Sequence, residues 1–169
     1  SNTDSHTADI VKRWGASPGQ IDKDRDLIAD FQSAGFKYAS DLTSLSAVDV
    51  KSTDKLLGLF SYSNMNVALD KIDGRRNIAK GIKGRVVDDF GFPDQPMLEE
   101  MTHKALGVLQ KNKKGFVLMV EGASIDKQAH NMDTERWILD MIEFDRAIKV
   151  AQDFAEKDGQ TLVIITADH

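Results

Sequence analysis

The alternation of apolar and polar positions is strongest from residue 94 onward. Apolar residues at helical spacing predict an amphipathic helix over residues 94–115 and a second long helix over residues 133–157. An uninterrupted apolar run follows each helix, at residues 116–120 and 162–166, and we expect each run to be a strand that is buried on both faces. The order helix, strand, helix, strand predicts an α/β fold with a mostly parallel sheet and helices on both faces.

The second long helix has apolar positions that we expect to face inward. They are Trp137, Ile138, Met141, Ile142, Phe144, Ala147, Ile148, Ala151 and Phe154.

The first half of the chain has a weaker pattern. A helix is predicted from residue 27 to Gly35, followed by a short strand at residues 36–39. The apolar run at residues 55–60 suits a buried strand, although so short a run does not distinguish a strand from a helix segment. Residues 61–93 combine glycines with weak periodicity and are predicted to be largely loop. We therefore divide the chain into a loop-rich peripheral segment, residues 1–93, and an α/β core segment, residues 94–169. Together they are expected to form a single incomplete domain.

Composition narrows the possible functions. The 169 residues carry a formal net charge of −5, and no cluster of basic residues is interleaved with aromatic ones, so nucleic-acid binding is not expected. No apolar run reaches the roughly 20 residues of a membrane-spanning helix, and no signal peptide opens the chain. Since cysteine is absent, any bound metal must be held by nitrogen and oxygen atoms.

Charged residues follow both predicted core strands. The stretch "MVEGASIDKQAH" begins at residue 119, and "TLVIITADH" ends the chain. Because ligands of open α/β sheets bind at the carboxyl ends of the strands, these side chains should meet at one edge. Imidazole with carboxylate suits Zn²⁺, and carboxylate alone suits Mg²⁺, so we infer a multi-metal site. Its candidate ligands are Glu121, Asp126, His130, Asp168 and His169.

Each candidate also has a simpler interpretation. Asp126 taken alone could cap a helix or form a turn, and with His130 it could form a surface hydrogen bond at i, i+4. Asp168 and His169 could belong to a frayed end. Their joint occurrence behind two similar apolar runs favours the metal site.

The two motifs, "GFVLMVEGASIDKQAH" and "TLVIITADH", closely resemble the alkaline phosphatase family. The resemblance implies a three-layer sandwich fold. It also implies that Glu121 is a Mg²⁺ ligand, that Asp126 and His130 bind one Zn²⁺, and that Asp168 and His169 bind a second. Lys127 matches a position that contacts phosphate through water in some members.

The function implied by the resemblance is hydrolysis of phosphate monoesters through a phosphoserine intermediate, with Zn²⁺ and Mg²⁺ as cofactors. A homodimer in the periplasm or outside the cell is also implied. The chain contains no Asp-Ser-Ala or Asp-Ser-Ser nucleophile motif. We therefore expect a central fragment that is inactive alone. Two alternatives stay open: a non-catalytic interaction or dimerisation fragment, and a related sulfatase or phosphodiesterase.

Overall fold

Six helices and two strands make up the regular structure that the computed structural model describes, over residues 25–61, 64–75 and 94–167. In chain order they are α1 (Leu27–Ser33), β1 (Lys37–Ala39), α2 (Leu42–Ser46), β2 (Leu56–Gly58), α3 (Ala68–Arg75), α4 (Leu98–Leu109), α5 (Ser124–His130) and α6 (Thr134–Asp158).

The two short strands pair in parallel, with Lys37 opposite Leu56 and Ala39 opposite Gly58. Helix α1 ahead of them is capped by the Asp26 side chain, which accepts a hydrogen bond from the Ala29 N–H at 3.1 Å. It is followed by Gly35 in the left-handed region, with φ of 86°. The predicted first helix and both short strands are confirmed. A small apolar core of Ala39, Leu45 and Phe60 packs below this sheet, against Leu56, Met65 and Met101.

Both predicted long helices are present, as α4 and α6, and they pack against each other. Helix α6 is capped at its start by the Asp133 carboxylate, which accepts from the Arg136 N–H at 3.2 Å. It ends at Gly159, whose φ of 69° belongs to the left-handed region. With its parallel strand pair and its packed helices, the chain has an α/β fold, as predicted.

Helix α3 lies inside the segment that was predicted to be largely loop, so that prediction is wrong over Ala68–Arg75. Its buried residues include Asp70, Lys71 and Asp73 beside Ala68. A helix whose inward positions are mostly charged does not produce the apolar stripe by which a buried helix is recognised in a sequence. The predicted loop over residues 76–93 lies outside the described residues.

The inward side of α6 differs from the predicted one. Its fully buried residues are Asp140, Glu143 and Ala147. Four residues that were predicted to face inward are instead 42 to 52% exposed, namely Trp137, Ile138, Met141 and Ile142. The prediction is thus wrong for these four residues but right for Ala147, which is 1% exposed. In the first half of α6, the carboxylates of Asp140 and Glu143 take the inward positions and bind groups on α3 and α4.

The two apolar runs predicted to be buried strands have no ladder partner within the described ranges. In the first run, Val117 and Met119 are 96% and 86% exposed. The Phe116 ring packs edge-on against the Phe154 ring of α6, with 5.9 Å between the two ring centroids. In the second run, Leu162 is 81% exposed. The prediction of burial on both faces is wrong for these residues, because burial of a strand requires neighbouring strands or helices on each face, and no described strand pairs with either run.

None of the helices among the described residues is both long enough and apolar enough to cross a membrane.

Candidate metal-binding site

Helix α5 brings two of the predicted ligands together. Asp126 lies in its first turn and His130 in its last, and the spacing of four residues puts both on one face. The His130 Nε2 atom lies 3.3 Å from the Asp126 Oδ1 atom. The two side chains are 76% and 45% exposed, so the pair is open to solvent and to an incoming ion. An imidazole nitrogen beside a carboxylate oxygen is a donor set that fits Zn²⁺.

Glu121 lies just before α5, in an exposed position. It is separated from the helix by Gly122, which approaches α6 closely. A Cβ atom added at Gly122 would lie 3.1 Å from Phe144 Cγ and 3.0 Å from Ile125 Cδ1. Because Gly122 has no side chain, the backbone next to Glu121 can pack directly against α6. This contact fixes the position of the backbone that carries the Glu121 carboxylate.

Glu121 and Lys127 line the same cleft, which has a volume of about 220 Å³. The Lys127 Nζ atom donates a hydrogen bond to Asn64 Oδ1 at 2.8 Å, across 63 positions of sequence. The cleft floor is formed in part by Lys71, Asp140 and Glu143. Acidic and basic side chains therefore line the cleft together with apolar ones such as Met65, Leu98 and Met101.

Two further predicted ligands cannot be placed relative to this pair. Asp168 and His169 lie outside the described residues. Within residues 25–61, 64–75 and 94–167, no group of three or more histidine or acidic side chains is arranged to hold a metal ion. The described part of the chain thus brings together one pair of the predicted ligands, Asp126 with His130, and does not group Glu121 with them.

Three of the residues that line the cleft form a buried polar cluster that the sequence did not predict. We call it the polar clamp, and it consists of Lys71, Asp140 and Glu143. The Glu143 carboxylate pairs with Lys71 of α3 and accepts from the Leu98 N–H at the start of α4, at 2.8 Å. The Asp140 Oδ1 atom accepts from the Ala68 N–H at 3.0 Å. Two carboxylates of α6 therefore fix two helix starts and the lysine between them.

The sequence contains one feature of the clamp, but this feature is also typical of an exposed helix face. Asp140, Glu143 and Ala147 follow one another at i, i+3 and i+7, so they lie on one stripe of α6. A stripe that mixes acidic residues with a small one is typical of a solvated helix face, and charges are rarely buried unless they are paired. The partner Lys71 is 72 positions from Glu143, and the sequence alone does not link them.

Burial raises the pKa of Asp140 to about 6, and the nearby negative charges of Glu143 and Asp70 add to this effect. The hydrogen bond from the Ala68 N–H and the charge of Lys71 act in the opposite direction but do not cancel it. Among the described residues, no hydrogen-bond partner is found for the second carboxylate oxygen, Oδ2. Ionised Asp140 is thus an incompletely compensated buried charge.

A larger groove of about 380 Å³ lies elsewhere, between α2 and α4, and its lining includes His103, Glu99 and Lys104. None of the predicted ligands lines it. We therefore base the functional assignment on the smaller cleft, which predicted site residues line, and not on this larger groove.

A family model described as alkaline phosphatase matches residues 3–169. The chain is 43% identical to the alkaline phosphatase of Escherichia fergusonii over 138 residues, which cover 80% of this chain and 29% of that protein.

Two solved structures are similar to the described fold. Thermus thermophilus alkaline phosphatase matches with a TM-score of 0.63 and 25% identity, over 82% of this chain and 25% of that one. A mutant of TAB5 alkaline phosphatase, solved with Mg bound in its M3 site, matches with a TM-score of 0.55 and 25% identity, over 84% of this chain and 34% of that one. The chain therefore spans about a third or less of the length of these three proteins.

Proposed function

Because the chain belongs to the alkaline phosphatase family, we propose that it is the metal-ligand-bearing central segment of a Zn²⁺- and Mg²⁺-dependent phosphatase that hydrolyses phosphate monoesters. The observation that carries this proposal is the Asp126–His130 pair, which the family's motif and the fold of α5 place one helical turn apart and open to solvent.

The residues are assigned as follows in this proposal. Asp126 and His130 supply two ligands of one Zn²⁺, and Glu121 supplies a ligand of Mg²⁺. Asp168 and His169 are assigned to a second Zn²⁺ from the family motif, since they lie outside the described residues. Lys127 is assigned to the phosphate, with the ammonium group attracting the anion from the rim of the cleft.

Bound divalent ions would supply electrostatic stabilisation of the charge that develops on the phosphoryl oxygens. The chain's own part is to hold the donors. The Gly122 contact with Phe144 fixes the backbone on the Glu121 side. Packing of α5 on α6 fixes the backbone of Asp126 and His130. These supports leave the ligand side chains exposed and their mutual arrangement defined.

We propose that this chain alone does not turn over substrate. A phosphoserine route needs a serine nucleophile, and the chain contains no Asp-Ser-Ala or Asp-Ser-Ser motif. Structural zinc usually has four ligands, whereas α5 supplies two. The remaining donors and the serine would come from other parts of the full-length protein. A homodimer and a periplasmic or extracellular location belong to the same proposal and rest on the family resemblance.

A second function is favoured by a specific observation. Val117, Met119 and Leu162 are more than 80% exposed, and exposed apolar side chains of this kind are typical of contact surfaces. The chain could accordingly act as an interaction or dimerisation module. Association that is independent of metal would favour this alternative over the ligand-bearing role.

The test is a calorimetric Zn²⁺ titration of the full-length protein, combined with a phosphate monoesterase assay before and after chelation. We expect Asp126→Ala and His130→Ala each to weaken Zn²⁺ binding and to lower activity by at least about 100-fold. Matched controls are Glu135→Ala and His103→Ala, which remove an exposed carboxylate and an exposed imidazole outside the motif. Unchanged Zn²⁺ binding in the two ligand variants would refute the assignment.

A further inference from the structure

We propose that Asn64 is a positioning residue for the phosphate-binding lysine, holding the Lys127 ammonium group over the cleft that Glu121 lines. The observation is the 2.8 Å hydrogen bond from Lys127 Nζ to Asn64 Oδ1, made by two residues that both line that cleft. The inference rests on the proposed function, because it takes the role of Lys127 in phosphate binding from there.

Helix α5 offers Lys127 no acidic partner of its own. The positions three and four residues away, where a helical neighbour could reach Nζ, are Ala123, Ser124, His130 and Asn131. Asp126 is adjacent in sequence, and neighbours at i, i+1 do not face each other on a helix. The restraint on the ammonium group therefore comes from outside the helix.

Asn64 is well placed to provide that restraint, because the segment that follows it is anchored in the interior. The Asn66 N–H donates to Gln95 Oε1 at 2.7 Å, and Asn66 and Val67 are only 2% and 7% exposed. The Ser61 hydroxyl donates to the Asn64 carbonyl oxygen at 2.9 Å. The amide that receives Lys127 thus belongs to backbone held on both sides.

The functional consequence follows from the flexibility of lysine. A free lysine side chain has large rotamer entropy, which is lost when the ammonium group binds an anion. A neutral amide acceptor lowers that loss by orienting Nζ in advance, and it leaves the positive charge intact. Since an ammonium group has three donor hydrogens, the bond to Asn64 leaves two for phosphate or for a water that bridges to it.

The experiment is a double-mutant cycle in the full-length protein loaded with Zn²⁺ and Mg²⁺, using Asn64→Leu and Lys127→Met, with inorganic phosphate as the probe. Phosphate affinity is measured by calorimetry, and the inhibition constant for phosphate is measured beside kcat. We expect Asn64→Leu to weaken phosphate binding by about fivefold, and Lys127→Met by about tenfold. We expect the double variant to be no weaker than Lys127→Met alone.

Non-additivity is the result that separates positioning from a general structural effect. If Asn64→Leu weakens phosphate binding equally with and without Lys127, Asn64 acts through something else and the proposal is overturned. Asn112→Leu removes an exposed asparagine amide in the loop after α4, and it should leave phosphate affinity unchanged. Thermal unfolding of all variants shows whether any loss of affinity follows from a loss of folded protein.

The two proposals fail in different ways. If the protein binds phosphate with the expected coupling but does not hydrolyse monoesters, the proposed function fails and the Asn64–Lys127 coupling stands. If hydrolysis depends on Zn²⁺ as expected and Asn64→Leu has no effect on phosphate affinity, the positioning role fails alone. Absence of any phosphate binding overturns both.

Discussion

The polar clamp and helix α5 each carry a pair of polar side chains, but the clamp pair is buried and the pair on α5 is exposed. In the clamp, Lys71 and Glu143 have side chains that are only 5% and 9% exposed, and the chain itself supplies their partners. On α5, His130 and Asp126 have side chains that are 76% and 45% exposed. A buried pair must be satisfied within the fold, whereas an exposed pair can remain available to a ligand. Burial thus separates side chains that hold the helices together from side chains that stay accessible to an ion.

The largest effect on stability is expected when the cation of the polar clamp, Lys71, is removed. Lys71→Met leaves the Glu143 carboxylate buried without its ion-pair partner, which typically costs about 3–5 kcal/mol of folding free energy. We expect the midpoint of urea unfolding to fall accordingly, as measured by circular dichroism.

The control for this change is Lys149→Met, which removes one partner of the exposed pair between Lys149 and Asp153. Exposed pairs contribute little, so its effect should stay within about 1 kcal/mol. A similar loss in both variants would show that the clamp lysine does not differ from a surface lysine.

The second prediction uses pH to isolate Asp140. Its folded pKa of about 6 exceeds the ordinary value of 3.8, so the folded state holds the proton more tightly than the unfolded chain. The contribution of this group to stability is therefore best below pH 4, declines as the pH rises from about 4 to 6, and stays low above that range. Asp140→Asn keeps an oxygen that can accept from the Ala68 N–H and removes the ionisation.

We expect Asp140→Asn to match the parent chain near pH 4 and to exceed its stability by about 2 kcal/mol at pH 8. Urea unfolding at both pH values measures the difference. Asp145→Asn, on an exposed position of the same helix, should give equal stability changes at the two pH values. A stability difference at Asp140 that does not change with pH would contradict the predicted effect of the raised pKa.

The smallest expected effect concerns the exposed pair on α5. His130→Ala removes an exposed side chain that has few packing contacts to lose, so the free energy of unfolding in the absence of metal should change by less than about 0.5 kcal/mol. Thermal unfolding in the presence of a chelator measures this. A loss of several kcal/mol would show that His130 supports the fold and would weaken its assignment as a ligand.

Local sequence patterns were enough to locate most of the helices and the shared face of Asp126 and His130. Helical periodicity located α4 and α6, Gly35 and Gly159 marked helix ends, and the spacing of Asp126 and His130 predicted a shared face. These features depend on residues a few positions apart, so a local pattern is enough to specify them. The family motif likewise lies in short continuous stretches.

Which charged side chains are buried depends on contacts between distant parts of the chain. Lys71 meets Glu143 across 72 positions and Asn64 meets Lys127 across 63, and no local pattern encodes such pairs. The exposure of Val117 and Leu162 was also missed, since an apolar run specifies a preference for burial and not the neighbour that provides it. Burial of a residue depends on which other parts of the fold pack against it. The polar clamp and the exposure of the two apolar runs could therefore be recognised only from the three-dimensional structure.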